Sequence, residues 1–310
     1  MSYFEKHIFV ALLLVISFFF CNFALIKQKI MKAIQCFDEL VEHLKASGVR
    51  RRVAVVCGRD ESTSGAVERA VKAGFAEAIY VDNEDVDVAA AEAVALVREG
   101  KADVIMKGLL NTDNLLKAIL NKETGILPKG RVLTHLCCAK MEQYDKLLFM
   151  TDVAVIPYPT KEQREQQLIY LLDLCRNMGV EEPRIALISC SEKVNPKHFP
   201  CTVEYRELVE QANAGQFGPC IVDGPLDLKT SLSPAALHKK GLTSPLEGRS
   251  DGLIFSDIQA GNVFYKSITL FCQAQTAAIL QGPQVPVVLT SRADSADNKF
   301  YSLALACVNA

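Results

Sequence analysis

The sequence RVAVVCGRDESTSGAVERAVKAGFAEAIYV, residues 52–81, decides the fold class of this 310-residue chain. Its apolar, β-branched start predicts a strand over 52–57, and the polar GRDESTSG that follows predicts a turn. A helix over 66–73 and a second strand over 78–81 complete the unit. A strand, a helix and another strand in this order predict a βαβ unit with two parallel strands.

The same alternation continues along the rest of the chain and predicts an α/β protein whose mostly parallel sheet carries helices on both faces. Further strands are predicted at 103–106, 131–137, 154–156, 184–189, 220–222, 252–255, 277–280 and 285–289. Further helices are predicted at 37–46, 88–98, 114–121, 162–178, 205–214, 263–272 and 301–306. Ligands of such sheets bind beyond the carboxyl ends of the strands, where this chain has its polar turns.

Composition excludes several classes of protein. Half of the residues are hydrophobic and 23% are charged, which is typical of a globular chain rather than a disordered one. The formal net charge of -2 gives no general attraction to nucleic acid. The 11 cysteines include no CxxC pair, which argues against a disulfide framework and a zinc site and favours a cytoplasmic protein.

The first 30 residues form a separate hydrophobic segment. The uncharged run IFVALLLVISFFFCNFALI, residues 8–26, is long enough to cross a bilayer. It fits a cleaved signal, a membrane anchor whose flanking lysines keep the remainder in the cytoplasm, or a sequence upstream of a true start at Met31. The start at Met31 is favoured, because an amphipathic first helix follows it. A membrane is therefore a partner only if residues 8–26 are present and uncleaved.

Four stretches in a fixed order carry a resemblance to a known family. They are VIMKGLLNTDNLLKAILNKETGI (104–126), ISCSEKVNPK (188–197), SPLEGRSDGLIFSDIQAGNVFYK (244–266) and PVVLTSRADSADNKFYSLALA (286–306). Together they resemble the phosphate acetyl/butyryltransferase family over nearly all of residues 31–310. EKVNP and SRADSA are more similar to the butyryl branch than to the acetyl branch.

The resemblance implies a two-domain α/β/α fold like that of isocitrate and isopropylmalate dehydrogenases, with an active-site cleft between the domains. Residues 31–140 and 279–310 would form the first domain, and residues 141–278 would form an inserted second domain. The resemblance also implies a homo-oligomer that uses acyl-CoA and inorganic phosphate, with coenzyme A as a substrate, no metal and no tightly bound cofactor.

The implied reaction is direct attack of phosphate on the thioester carbonyl of a short-chain acyl-CoA, with no protein nucleophile. Arg292 offers a planar fork suited to phosphate or to a developing oxyanion, and Ser291 offers a hydrogen bond to the same oxygen. Taken alone, Ser291 also fits a helix N-cap and Arg292 a surface ion pair.

The resemblance does not identify which residue acts as the general base. The acetyl branch carries a catalytic aspartate seven residues after the serine, and Asn298 occupies that position here. Asp294 and Asp297 are the nearby carboxylates that would replace it.

Two strand-to-helix turns supply candidate ligands for the anionic substrates. In the first, Lys107 adds positive charge and Gly108 allows backbone amides to approach an anion, while Thr112 is either a phosphate donor or an N-cap. The alternative for Lys107 is a solvated side chain on an ordinary turn.

The second turn contains Asp257, Gly261, Asn262 and Lys266, and a helix starting at Gly261 would aim its amides at an anion. The alternative is that Asp257 or Asn262 caps the helix and Lys266 faces solvent. The loop after residue 189 adds Lys193 and Asn195, although Asn195-Pro196 is also a turn signal.

Other residues are interpreted as structural. His135 follows apolar residues and is expected in the core, as are Cys137 and Cys138, which have no partner pattern for nucleophilic catalysis. Two other functions remain open. One is an NAD-dependent dehydrogenase of the related metal-dependent fold, which would need a carboxylate cluster, and the other is a catalytically inactive binding module.

Overall fold

The computed structural model describes residues 32–289 and 295–310. The hydrophobic segment 1–30 and the candidates Ser291, Arg292 and Asp294 therefore lie outside the described residues. Residues Ile34–Ala310 form one compact unit. Within the described ranges, no helix combines the length and the apolar character that a membrane crossing requires.

Strands and helices alternate through the described part of the chain. The strands are β1 (Arg51–Val56), β2 (Ala76–Val81), β3 (Val104–Lys107), β4 (Thr134–Met141), β5 (Tyr144–Thr151), β6 (Arg184–Ile188), β7 (Ile221–Leu226), β8 (Gly252–Ile254), β9 (Gln275–Gln281) and β10 (Val287–Val288). The helices are α1 (Phe37–Ser47), α2 (Glu61–Ala73), α3 (Val86–Arg98), α4 (Thr112–Ile119), α5 (Lys161–Asn177), α6 (Cys201–Asn213), α7 (Leu228–Leu232), α8 (Pro234–Lys239), α9 (Ile258–Phe271) and α10 (Ala296–Asn309).

All ten strands join one sheet in the order β2-β1-β3-β10-β9-β4-β5-β8-β6-β7. Six of the pairings are parallel. The three at the centre, β10 with β9, β9 with β4 and β4 with β5, are antiparallel. The predicted mostly parallel α/β sheet is therefore confirmed, and the sequence analysis missed its antiparallel centre.

The three central reversals give the two halves of the sheet opposite directions. Strands β1, β2, β3 and β10 run one way, and β5, β6, β7 and β8 run the other way. The carboxyl ends of β3 and β10 therefore lie at one end of the sheet, and those of β6, β7 and β8 lie at the opposite end. Strands β8 and β9 point in the same direction, so α9 leads the chain from the carboxyl end of β8 back to the end of the sheet where β9 begins.

Helices cover both faces, because alternate strand residues point to opposite sides. On β1, Val53 and Val55 pack in the layer with α1, α2 and α10, and Ala54 and Val56 pack in the layer with α3 and α4. On β4, Cys138 belongs to the first layer, whereas Cys137 packs with residues of α9. Both cysteines are fully buried, which confirms their assignment to the core.

One predicted strand is wrong. Residues 154–156 form a turn around Asp152, whose carboxylate accepts hydrogen bonds from the amides of Ala154 (2.8 Å), Val155 (2.9 Å) and Ile156 (3.1 Å). Three successive amides that converge on one carboxylate cannot pair with a neighbouring strand. The apolar run that resembled a strand is therefore a loop, in which Ile156 is buried and Ala154 is exposed.

The proposed division into two domains has its boundaries inside the sheet. Residues 140 and 141 lie in β4, and residues 278 and 279 lie in β9. These two strands pair along their whole length, from Thr134 opposite Gln281 to Lys140 opposite Gln275. The division of 31–140 plus 279–310 from 141–278 stays a prediction.

Candidate functional site

The candidate site is a crevice at the centre of the sheet, where β10 separates from β9. These two strands share one paired position, Val287 opposite Leu280. Further along, the amide of Ala278 donates to Oγ of Ser302 on α10 at 3.0 Å instead of to β10. A helix side chain thus takes the place of a strand, and a gap opens between the two halves of the sheet.

Side chains from both faces of the sheet line this gap, a cavity of about 160 Å³ that we call the crevice. They come from β4, the Asp152 turn, α9, β9, the end of β10 and α10. The lining residues are His135, Val153, Ala154, Asn262, Tyr265, Lys266, Thr276, Ala278, Leu289, Asn298 and Ser302. Three candidates from two separate sequence motifs, Asn262, Lys266 and Asn298, therefore meet in one cavity.

The buried carboxylate of Asp152 organises one wall of the crevice. Besides its three turn amides, Asp152 accepts a hydrogen bond from the hydroxyl of Thr134 at 2.9 Å. Its side chain thereby fixes the start of β4, where His135 lies, relative to the turn that supplies Val153 and Ala154. Sequence analysis gave Asp152 no role, because an aspartate that ends a strand carries no signal of the amides it will collect.

Helix α9 packs directly on this turn. It begins at Ile258, with Asp257 as the N-cap accepting from the amide of Ala260 at 3.0 Å, so the prediction of a start at Gly261 is wrong. Gly261 faces the Asp152 turn so closely that a Cβ would overlap the carbonyl oxygen of Asp152. One residue later, the side-chain Nδ2 of Asn262 donates to the carbonyl of Val153 at 2.9 Å.

Lys266 lies one turn beyond Asn262 and brings positive charge to the crevice. Its side chain is exposed, and Nζ lies 5.2 Å from the ring centroid of Tyr265. The Tyr265 hydroxyl is 3.5 Å from the hydroxyl of Thr276 on β9. The crevice thus presents an ammonium, an amide and hydroxyl groups, all of which can bind phosphate or carbonyl oxygens.

The turn after β3, which contains Lys107, Gly108 and Thr112, was predicted to bind an anion, and its lysine has protein partners instead. Lys107 is 4% exposed, and its Nζ donates to the carbonyls of Gly108 (3.0 Å) and Leu110 (3.1 Å), so the solvated-lysine alternative is wrong. The Gly108 amide donates to Val56. Helix α4 starts at Thr112 itself, which excludes Thr112 as its N-cap. The crevice lining does not include this turn, and its role as an anion site stays a prediction.

Asp257 lies at a second, larger cavity of about 600 Å³, which we call the loop pocket. The loop after β6, the start of α6 and the first turn of α9 form its walls. Arg164 lines it too, almost fully buried, and donates to the carbonyls of Phe255 and Ser256, each at 3.3 Å. The pocket thus lies beyond the carboxyl ends of β6 and β8, and it shares no lining residue with the crevice.

Lys193 and Asn195 belong to the loop beside this pocket but do not line it. Lys193 is exposed. The Asn195 side chain accepts from the amide of His198 at 3.1 Å, and its own amide donates to the hydroxyl of Thr202 at 2.9 Å. Asn195 therefore shapes a turn, as the Asn-Pro signal indicated, and ligand binding by Lys193 and Asn195 stays a prediction.

The two described candidates for the general base have different positions. Asn298 lines the crevice in the first turn of α10, with its amide donating to Oγ of Ser295 at 3.1 Å. Asp297 is exposed and forms an ion pair with Arg69 at 2.6 Å. Asp297 therefore has a structural partner on α2 and does not line the crevice.

His135 is the lining residue whose role sequence analysis missed. It is 7% exposed, so the expected burial is confirmed. It also shares the crevice with Asn262 and Asn298. An imidazole has one nitrogen that can accept a proton and one that can donate it, which makes it chemically suited to proton transfer. The sequence around His135 shows only that the residue is buried, and it does not show that the residue also lines a cavity.

The described residues contain no group of three His, Cys, Asp or Glu side chains arranged to hold a metal ion. Asp257, which the dehydrogenase alternative would use, accepts from the hydroxyl of Ser256 at 2.8 Å with one carboxylate oxygen and caps α9 with the other. Its carboxylate thus has a structural role at the helix terminus.

Known proteins are similar to this chain over most of its length. A sequence profile described as phosphate acetyl/butaryl transferase matches residues 82–307. The chain is 37% identical over 298 residues to a phosphate butyryltransferase from Clostridium acetobutylicum, covering 89% of this chain and 98% of the relative. It is 33% identical to a phosphate acetyltransferase from Thermotoga maritima, over 87% and 98% of the two chains. A solved branched-chain phosphotransacylase from Enterococcus faecalis shares 30% identity and superposes with a TM-score of 0.74, over 84% and 98% of the chains.

Proposed function

Because the chain belongs to the phosphate acetyl/butaryl transferase family, we propose that it moves a short acyl group, butyryl in preference to acetyl, between coenzyme A and inorganic phosphate. The observation that carries the proposal is the crevice, where Asn262 and Lys266 meet Asn298 in a cavity of about 160 Å³. This volume suits phosphate and a short acyl group, and the larger remainder of coenzyme A must lie outside it.

The proposed reaction joins both substrates directly. A phosphate oxygen attacks the thioester carbonyl carbon, the carbon–sulfur bond breaks, and the sulfur leaves with the electron pair and takes up a proton. Binding both reactants in one place removes the entropy cost of bringing them together. Arg292 and Ser291 are proposed to bind the phosphate and the developing oxyanion. In the chain, Leu289 precedes Ser291 by two residues and Asn298 follows Arg292 by six, and both line the crevice.

Charge in the crevice supports binding of phosphate. Lys266 supplies a cation near the Tyr265 ring, and Asn262 supplies an amide held by the Asp152 turn. Lys107, buried on β3 next to β10, is the further cation that we propose near the phosphate. Coenzyme A enters as a substrate, and the residues named here require no tightly bound cofactor for this reaction.

The test uses the purified full chain with butyryl-CoA and phosphate, and follows release of the CoA thiol. We expect release that requires phosphate, is unaffected by a metal chelator and is fastest for four-carbon acyl groups in a series of chain lengths. One methylene contributes only about 1–3 kcal/mol in an apolar pocket, so neighbouring chain lengths should react more slowly rather than not at all. No release with any short acyl-CoA would favour an inactive binding module, and metal-dependent reduction of NAD would favour the dehydrogenase.

Asn298→Asp tests the vacated base position. Aspartate at the third position of α10 is stabilised by the helix N-terminus and gives the crevice a proton acceptor. We expect kcat to rise about tenfold and the KM for phosphate to rise, because the new charge repels the anion. Asn298→Ala is the control for loss of the amide. If kcat is unchanged or lower in Asn298→Asp, proton transfer belongs to another group, and His135 is the next to replace.

The expected homo-oligomer belongs to the same proposal. Helix α9 exposes Val263, Leu270 and Phe271 to 65%, 71% and 79%. Three large apolar side chains on one helix are more typical of an interface than of a solvated surface. We expect Phe271→Glu to give a smaller particle by light scattering, whereas Val71→Glu, at an isolated exposed valine on α2, should leave the size unchanged. An unchanged particle for Phe271→Glu would exclude this face.

A further inference from the structure

Lys299, in the first turn of α10, connects this turn to α2 through a buried side chain that has no role in the proposed reaction. We call these contacts of Lys299 the attachment. Lys299 is 4% exposed, and its ammonium donates to Oγ of Ser62 at 2.6 Å and to Oγ1 of Thr63 at 3.1 Å. Its third partner is the carboxylate of Asp60 at 3.4 Å. All three acceptors belong to the start of α2, so the ammonium connects two helices that are remote in the sequence.

The surroundings of the Lys299 ammonium are positive, and the carboxylate of Asp60 is the negative group that it contacts. The ammonium lies near the N-terminus of α2, which Asp60 caps, and it belongs to the first turns of α10. Both helices present the positive ends of their dipoles there. A buried ion pair is on average no more stabilising than apolar residues of the same volume. Stability of the fold therefore does not explain why a lysine is buried at this position.

The body of α10 does not need the attachment. Residues from Phe300 to Cys307 are buried and pack against α1, α2 and the sheet. The first turn is different, because Ser295, Ala296 and Asp297 are exposed. Only this turn carries Asn298 into the crevice. Its described side-chain connections to α2 are the buried Lys299 cluster and the exposed ion pair between Asp297 and Arg69.

We propose that Lys299 is a positioning residue, whose buried ammonium holds the first turn of α10 against the start of α2 and so fixes Asn298 in the crevice. The inference rests on the proposed function, because the crevice is the proposed place of acyl transfer. Lys299 acts through Asn298 and touches no substrate. Displacement of a catalytic group by about 1 Å is enough to lower the rate substantially.

The charge of the cluster persists through the pH range of an assay. Burial alone would raise the pKa of Asp60, but hydrogen bonds from Thr63 and Ser62 and the Lys299 charge together lower that pKa to about 2. A carboxylate with a lowered pKa contributes its stabilisation above its unfolded pKa of about 4 and loses it as the pH falls toward 2. The carboxylate of Asp60 therefore stays ionised at neutral pH, and the pH profile of the enzyme near neutrality should not report on it.

The test compares Lys299→Met with Arg69→Ala. Lys299→Met keeps an unbranched side chain, one atom shorter, and removes the charge. Arg69→Ala removes the exposed pair between the same two helices. For Lys299→Met we expect a loss in kcat of about tenfold, measured below its Tm, with both KM values within about threefold. We also expect a lower Tm, because the carboxylate of Asp60 loses its cation, and faster hydrogen exchange in peptides covering residues 295–302. For Arg69→Ala we expect changes of less than about twofold in kcat and no change in exchange.

The outcomes separate this inference from the proposed function. A wild-type kcat in Lys299→Met would overturn the inference, and so would a lower kcat without faster exchange, since that result assigns Lys299 to the chemistry. If Lys299→Met does not fold, Ser62→Ala removes one acceptor and should give the same exchange change with a smaller loss in kcat; no change in either would overturn it. A wild-type chain without acyl transfer would end the proposed function, and the exchange measurement would still test the attachment.

Discussion

Arg292→Ala is expected to lower kcat/KM by about 10²–10³ with little change in stability. The attack places negative charge on a phosphate and on a carbonyl oxygen at the same time, and an oriented cationic donor is worth most where that charge develops. A guanidinium also matches two oxygens of one phosphate with parallel hydrogen bonds. In the sequence, Arg292 lies between Leu289 and Asn298, and both of these residues line the crevice.

Two further variants make the result specific. Arg292→Lys keeps the charge and loses the planar fork, so we expect it to recover only part of the rate. Arg249→Ala removes an exposed arginine paired with Asp145 at 2.7 Å and should change kcat/KM less than twofold. The measurement is steady-state CoA release together with the Tm of each variant. A loss of less than tenfold in Arg292→Ala, at an unchanged Tm, would remove Arg292 from the mechanism.

Local patterns predicted most of the strands and helices, because apolar spacing and turn residues act over a few positions. The exceptions depend on contacts that such patterns do not contain. The apolar residues 154–156 were interpreted as a strand, although the carboxylate of Asp152 collects their amides. Strand β5 received no prediction, and it pairs antiparallel with β4 in the reversal at the centre of the sheet. A tertiary constraint overrides local propensity in both places.

The candidate site was predictable where family motifs carried it. Asn262, Lys266 and Asn298 were all expected at the site, and they line one crevice. The position of the crevice was not predictable, because it depends on the amide of Ala278 turning from β10 to Ser302. The attachment of Lys299 joins residues as far as 239 positions apart in the sequence. No window along the chain contains both partners of such a contact.

Gly261→Ala is expected to destabilise the protein by about 1–3 kcal/mol and to lower the rate of acyl transfer. The added methyl group would overlap the carbonyl oxygen of Asp152 and would lie 3.0 Å from the ring of Phe255. A flexible side chain would move away at little cost, but the Asp152 oxygen belongs to a turn that its own carboxylate holds in place. Helix α9 must therefore shift outward, and the hydrogen bond from Asn262 to Val153 is lost with it.

Gly65→Ala in α2 is the matched control, because this helical glycine has no atom within 4 Å of an added Cβ. Alanine there should stabilise the chain by about 0.5–1 kcal/mol, since a glycine inside a helix loses more conformational entropy on folding. The same substitution in two helices is thus expected to have opposite signs, which urea denaturation with a common m-value will show. If Gly261→Ala is as stable as the wild type, the close contact between α9 and the Asp152 turn does not hold Asn262 in the crevice. Other residues of α9 must then hold this wall of the crevice in place.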